Sequence, residues 1–338
     1  MLFENVALVK VSAVDAPHRI ASRVIMSRLR PTLDRLGIHL DLLGSVAGIH
    51  ARRFWDRDVQ PSDAATLAGR QALQTSGVPG DALGVLINTS VCRDWIEPST
   101  AAIVHAKLGL PQSCLNFDVG NACLAFLTGM ELVGNMIERG QIRYGMVVDG
   151  ESSRFITEQT VRRLLQPGTE LAELQANFAS LTLGSGAAAA ILGRADDHPD
   201  APRFKGAVNQ AATQHHGLCQ GEPDRMITNS GELLVRGIEL AQETWTSAER
   251  ELGWKPDGLQ AFCMHQVSSV HTRRLTQALD LDLQRVPTIY PEYGNIGPAS
   301  VPMVLARAEA DGRLEKGARI GLLGIGSGLN CTMAEIQW

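Results

Sequence analysis

Short apolar runs alternate with helical periodicity along most of the chain. The runs at residues 85–87, 144–148, 187–192, 261–264 and 320–323 are apolar or glycine throughout, and 115–119 is apolar apart from Asn116 and Asp118. Such runs predict strands covered on both faces. Between them, Pro61-Ser62-Asp63 opens a helix with Ala65, Ala68, Ala72 and Leu73 on one face. Residues 124–137 make a second helix, closed by Gly140, and Pro298 stands at the first position of a third that runs through Ala308. Strands alternating with helices predict an α/β sheet.

The pattern also repeats. Asp81-Ala82-Leu83 before one apolar run returns as Asp257-Gly258-Leu259 before another. Gly120-Asn121 returns as Gly294-Asn295, and Arg143-Tyr144-Gly145-Met146 as Arg319-Ile320-Gly321-Leu322, at nearly the same interval. Matches in the same order predict two similar halves in one chain, residues 1–193 and 203–338. The polar stretch 193–202, with Asp196-Asp197-His198-Pro199-Asp200, reads as their connector. Residues 157–175 are charged and irregular, and read as an insertion, a helical cap over a binding site.

Composition narrows the function. With 338 residues, 44% of them hydrophobic, the chain can bury a large core. The net charge of -5 is spread without a basic stripe, which argues against nucleic acid as a partner. Six scattered cysteines without CxxC spacing argue against zinc and against a disulfide framework. The first residues carry no secretory pattern, and no stretch approaches the ~18 apolar residues of a membrane span. The reading is a cytoplasmic protein.

Four segments carry candidate chemistry. In Phe117-Asp118-Val119-Gly120-Asn121-Ala122-Cys123, an apolar strand ends in small residues and Cys123 begins a helix. A helix N-terminus favours the thiolate, so the expectation is a lowered thiol pKa; the same segment also suits a small buried hydrophobe. His265 ends the strand in Cys263-Met264-His265-Gln266, where an α/β crevice would lie, or where a structural histidine would sit. Asn295 occupies a glycine-bounded turn before a helix, which suits capping as well as catalysis. Gly324-Ile325-Gly326-Ser327-Gly328 follows a strand but lacks the last glycine of a dinucleotide fingerprint, so backbone N–H groups facing an anion are the better reading. A cysteine protease would use the same residue types, but its local signatures are missing. No serine sits in G-x-S-x-G.

Taken in order, Cys123, His265-Gln266, Asn295-Ile296-Gly297-Pro298-Ala299-Ser300 and Gly324 to Gly328 resemble the thiolase superfamily, in its β-ketoacyl synthase III branch, over essentially the whole chain. Residues 87–90, 93–100 and 295–302 are most similar to the acyl-CoA condensing enzymes of bacterial long-chain olefin synthesis. The resemblance implies a five-layered αβαβα fold of two duplicated halves and a homodimer. It implies Cys123 as nucleophile with His265 and Asn295 beside it, and the backbone N–H groups of Cys123 and Ser327 as an oxyanion hole. In synthase III enzymes the residue before the matching Pro-Ser is typically apolar and enters the neighbouring subunit's site; here it is Glu97.

That departure has a chemical reading. A synthase III makes its carbanion by decarboxylating a malonyl thioester. Two simple acyl-CoAs offer no carbon dioxide to lose, so a base must take an α-proton, and a carboxylate in an apolar channel suits that work. The resemblance therefore implies non-decarboxylative condensation of two long-chain acyl-CoAs to a β-keto acid. Coenzyme A thioesters are substrates and no group is permanently bound. Downstream olefin-pathway enzymes are further candidate partners. Arg52 and Arg53 fall where synthase III enzymes place contacts to the CoA phosphates. The alternatives are a decarboxylative β-ketoacyl-ACP synthase III, a non-catalytic scaffold subunit and a biosynthetic thiolase.

Overall fold

The computed structural model describes residues 2–338. Nine strands form one sheet: β1 Val6–Asp15, β2 Leu83–Asn88, β3 Leu115–Asp118, β4 Tyr144–Glu151, β5 Gly186–Arg194, β6 Arg203–Ala211, β7 Ala261–Met264, β8 Arg319–Gly326 and β9 Asn330–Gln337. Their order is β7-β8-β9-β6-β1-β5-β4-β2-β3. From the centre outward, one side runs β1, β5, β4, β2 and the other runs β6, β9, β8, β7. Each series pairs antiparallel, antiparallel, then parallel. Strand β3 is an extra parallel edge on the first side. The two series meet where Ala7 lies opposite Arg203.

The sequence repeats fall at equivalent places. A 3-10 turn, Gly80–Ala82, leads into β2 as Pro256–Gly258 leads toward β7. Gly120-Asn121 precedes the helix Ala125–Glu138 as Gly294-Asn295 precedes the helix Ser300–Ala310.

Strand alternation builds the layers. Val85, Ile87, Val147, Ala188 and Ala190 of one series, and Ala261, Cys263, Ile320, Leu322 and Ala334 of the other, join one buried cluster. Phe126, Leu127, Met130, Val133, Val301, Val304 and Leu305 of the two repeated helices fill it. The intervening residues Leu86, Met146, Val148, Ala187 and Ala189 face outward onto Ala64, Ala65, Ala68 and Ala72 of the helix Pro61–Ser76. Phe262, Met264, Leu323 and Met333 face the helices Ser230–Glu251 and Ser269–Ala278 through Leu240, Trp245 and Leu275. The two series of the continuous sheet thus form separate layers over the shared helices, in the order helix, half-sheet, helix, half-sheet, helix. Gly150 allows the helix to approach closely: a Cβ there would stand 2.2 Å from the Pro61 carbonyl oxygen.

Three local readings are corrected. Strand β5 runs through Arg194, so the connector is shorter than 193–202 and contains the 3-10 turn Ala195–Asp197. Residues 157–175 are not irregular, because they fall within the helices Arg154–Leu164 and Leu171–Thr182 and the short link between them. Val161, Leu164, Leu174 and Leu181 pack with Ile25, Met26, Leu29, Leu33 and Leu43 as a satellite cluster. After Gly294 the chain makes a 3-10 turn, Gly297–Ala299, before the α-helix starts at Ser300.

Candidate active site

Cys123 stands where β3 gives way to the central helix. Ala122 before it has φ 45, the left-handed region that costs an L-residue energy, and so aims the 3-10 turn Ala122–Leu124 away from the strand direction. Asn121 locks the turn. Its Nδ2 donates to Thr128 Oγ1 at 3.0 Å, and its Oδ1 accepts from Asn330 Nδ2 at 3.1 Å. That second bond ties the cysteine turn to the start of β9, just past Ser327. A Cβ on Gly326 would stand 3.3 Å from the Cys123 nitrogen, so the end of β8 lies directly against the Cys123 backbone.

The second half supplies the other side. The turn Gly297–Ala299 and strand β8 both pack on Ala122–Leu124. His265 follows β7, donates its backbone N–H to Leu323 O at 2.8 Å and is buried, with Nδ1 unpartnered. Gln266, fully buried, holds the surroundings. Its Nε2 donates to Pro287 O at 2.6 Å, and its Oε1 accepts the N–H groups of Ile289 and Tyr290 at 2.8 and 3.1 Å. Asn295 is fixed from both sides: its N–H donates to Thr182 O at 2.9 Å and its carbonyl accepts from Gly184 N–H at 2.8 Å. Its Oδ1 accepts from Gly297 N–H at 3.0 Å, which leaves the side-chain N–H groups to donate elsewhere.

Burial sets the resting charges. The thiol of Cys123 is pushed up to about 12, first by desolvation and then by Cys219, Glu151 and Asp149. The expected lowering is thus reversed, because water is excluded and the nearby acidic groups disfavour a thiolate. His265 is pushed down to about 3 by burial and by His271, against a hydrogen bond with Gly297. Its imidazole is neutral at ordinary pH and can act as a hydrogen-bond donor without carrying charge.

Sequence reasoning missed the acidic pair on β4. Asp149 is fully buried, with Oδ2 accepting from Thr89 Oγ1 at 2.7 Å and Oδ1 unpartnered. Desolvation and the neighbouring Glu151 raise its pKa well above the ordinary carboxylate range. Glu151 accepts Val91 N–H at 2.6 Å, and burial pushes its carboxyl up to about 7. Two acidic residues two positions apart in an otherwise apolar strand were the available signal.

Glu97 lies elsewhere, on the exposed segment 91–99, directly after Trp95 and Ile96, which are 66% and 93% exposed. Carboxylates pin this segment. Asp94 accepts from Ser62 N–H and Oγ at 2.9 and 2.5 Å, and Asp118 accepts the N–H groups of Thr100 and Ala101 at 3.0 and 2.8 Å. Arg52 corrects a further expectation. It is fully buried, and its guanidinium donates to Leu181 O, to Leu183 O at 3.5 Å and to Ser22 Oγ at 3.0 Å, so it has no face to offer a phosphate. Arg53, half-buried, lies over the Tyr293 ring, its guanidinium carbon 5.0 Å from the centroid. Among the described residues, no group of three His, Cys, Asp or Glu side chains could hold a metal, and no helix is long and apolar enough to cross a membrane.

A duplicated five-layered fold, with a cysteine at the start of one central helix and the turn before the equivalent helix of the other half packed against it, is that of the thiolase superfamily. Within it, residues 117–208 match the family model of 3-oxoacyl-[acyl-carrier-protein] synthase III, and residues 250–338 match the model of its C-terminal part. The chain belongs to this family and is an acyltransferase. It is 52% identical to the acyl-CoA:acyl-CoA alkyltransferase of Xanthomonas campestris, over 100% of both chains. It is 35% identical to the enzyme of that name from Shewanella oneidensis, over 96% of both. A crystal structure of Xanthomonas campestris OleA, a cysteine-to-serine variant with bound lauric acid and lauroyl-CoA, superposes with a TM-score of 0.98 at 51% identity over 100% of both chains. Other solved forms of that OleA carry changes at the same cysteine, at one glutamate and at one histidine.

Proposed function

We propose that this protein joins two fatty acyl-CoA molecules by a non-decarboxylative Claisen condensation, as a homodimer, and yields a β-keto acid. The observation that carries the reading is the carboxylate of Glu97 on a pinned, exposed segment beside Trp95 and Ile96. An exposed apolar pair flanking an acid suits insertion into a neighbouring subunit. The glutamate, cysteine and histidine altered in the OleA structures stand at the same intervals as Glu97, Cys123 and His265, which supports the same roles here.

Catalysis proceeds in two stages. Cys123 attacks the first thioester, the carbon–sulfur bond to CoA breaks, and the thiol proton leaves with the CoA sulfur. The backbone N–H groups of Cys123 and Ser327 hold the tetrahedral oxyanion, where one such donor is typically worth ~2.7–4 kcal/mol. In the second stage Glu97 of the partner subunit takes the α-proton of a second acyl-CoA. Neutral His265 and the Asn295 amide donate to the enolate oxygen, and the carbanion attacks the acyl-Cys123 carbonyl and releases the thiol. Water then cleaves the β-ketoacyl-CoA. Arg53 remains the candidate for a CoA phosphate contact.

The test is incubation with myristoyl-CoA alone, measuring free CoA and product mass. The expected product is the symmetrical ketone left when the β-keto acid loses carbon dioxide. Cys123→Ala should abolish it, and Glu97→Ala should abolish it while still releasing one CoA per site. Product that appears only with a malonyl thioester would establish the decarboxylative reaction, which the synthase III family match favours, and would refute this reading.

A further inference from the structure

We infer that Glu151 is a positioning residue for Glu97, fixing where the 91–99 arm leaves its own subunit. This rests on the reading of Glu97 as the base. Glu151 ends β4, and its backbone is held on the outer side, where its carbonyl accepts Trp55 Nε1–H at 3.0 Å. Its side chain turns toward the root of the arm and accepts Val91 N–H at 2.6 Å. The next residue of the arm follows the same anchor, with the Cys92 thiol donating to Ser152 O at 3.4 Å. Just before the arm, Ser90 Oγ accepts Gly150 N–H and donates to Asn88 Oδ1, each at 2.8 Å.

The same carboxylate touches the catalytic frame. Its carbon lies 3.6 Å from where a Cβ on Gly297 would stand, and Gly297 N–H is the group that orients Asn295. Glu151 therefore joins the arm's root to the turn that carries Asn295. The arm has no secondary structure of its own over 91–99. Its direction depends on its anchors: Glu151 at the root, Asp94 in the middle and Asp118 beyond the end. Removing the Glu151 acceptor leaves the Val91 N–H in a half-buried place without its partner and frees the root to shift. A displacement of about 1 Å at a reacting group can cost ~10²-fold in rate.

The experiment compares Glu151→Met, Glu151→Gln and Glu97→Ala in the full chain, reading three quantities with myristoyl-CoA. These are the first CoA released per site, the steady condensation rate, and hydrogen exchange of the 91–97 amides. The Met variant should not slow the first CoA release, because losing an acidic neighbour can only favour the Cys123 thiolate; it should lose condensation ~10²-fold and exchange faster only in the arm. The Gln variant retains an acceptor oxygen and should restore both condensation and protection. Equal loss of CoA release and condensation in the Met variant, or a Gln variant as impaired as Met, would overturn the proposal, since the carboxylate would then be acting on Cys123 or by charge. Should Glu151→Met fail to fold, the Gln variant with Glu151→Asp, one carbon too short to reach, makes the same comparison. Condensation by Glu97→Ala would sink the base reading itself. Loss in Glu97→Ala with a fully active, protected Met variant would leave that reading standing and remove Glu151 from it.

Discussion

Gly184 offers a sharp test of how the two halves share the site. It follows the helix Leu171–Thr182 in the first half, and its N–H donates to the Asn295 carbonyl at 2.8 Å. A Cβ there would stand 1.8 Å from the Tyr293 carbonyl oxygen and 3.0 Å from its carbon. Ordinary contact begins near 3.4 Å, so Gly184→Ala must push the 293–295 backbone away by more than an ångström. The obstacle is backbone, which cannot rotate aside like a side chain. Overpacking of this kind costs about 1–3 kcal/mol of stability. Because Asn295 rides on the displaced segment, condensation should fall about 10²-fold. First CoA release should fall much less, because Cys123 is held from other directions by Asn121, Thr128 and Asn330. The assay is a denaturant midpoint, together with CoA release and product formation on one preparation. A variant with native stability and condensation within two- or three-fold of the parent would refute the argument.

Two further outcomes are expected. His271 is depressed to about 4 by burial, so the unfolded chain binds its proton near 6.5 while the folded chain resists it. The unfolded state then holds more protons in that window, and His271 makes stability fall as pH drops from 6.5 toward 4. His271→Asn should flatten that limb in urea midpoints measured across pH, and an unchanged slope would contradict it. Arg52→Met should lower stability by about 2–4 kcal/mol, because the Leu181 and Leu183 carbonyls lose their donor. It should leave the acyl-CoA KM within two-fold, and a large KM rise with native stability would return Arg52 to a phosphate role.

Much of the fold was legible because its elements are locally consistent. The apolar runs at 85–87, 187–192 and 261–264 lie inside strands, since strands covered on both faces need no polar alternation. The helix of residues 124–137 was legible for the complementary reason: only a helical period spaces Phe126, Met130, Val133 and Ile137 on one face. The helices over 154–182 were less so, because a satellite cluster needs only a narrow apolar stripe and leaves the other positions free to be polar or charged. Strand β4 was cut short at Val148 because Asp149 and Glu151 look like the start of a loop.

The sequence by itself determined the candidates: a thiol between strand and helix at Cys123, a histidine at a strand end, an asparagine in a glycine turn, and an acid at 97 directly after Trp95 and Ile96. These depend on neighbours within a few positions, and local chemistry is what a sequence states directly. Tertiary structure decided their electrical state and company. Whether Cys123 is a thiol or thiolate depends on water exclusion and on Asp149 and Glu151, which arrive from another strand. Arg52 and Arg53 are adjacent in one strand, so alternation sends them to opposite faces, and which face is interior depends on Leu181 and Leu183, far along the chain. Desolvation and long-range hydrogen bonds are sums over everything packed nearby, and those sums exist only once the chain has folded.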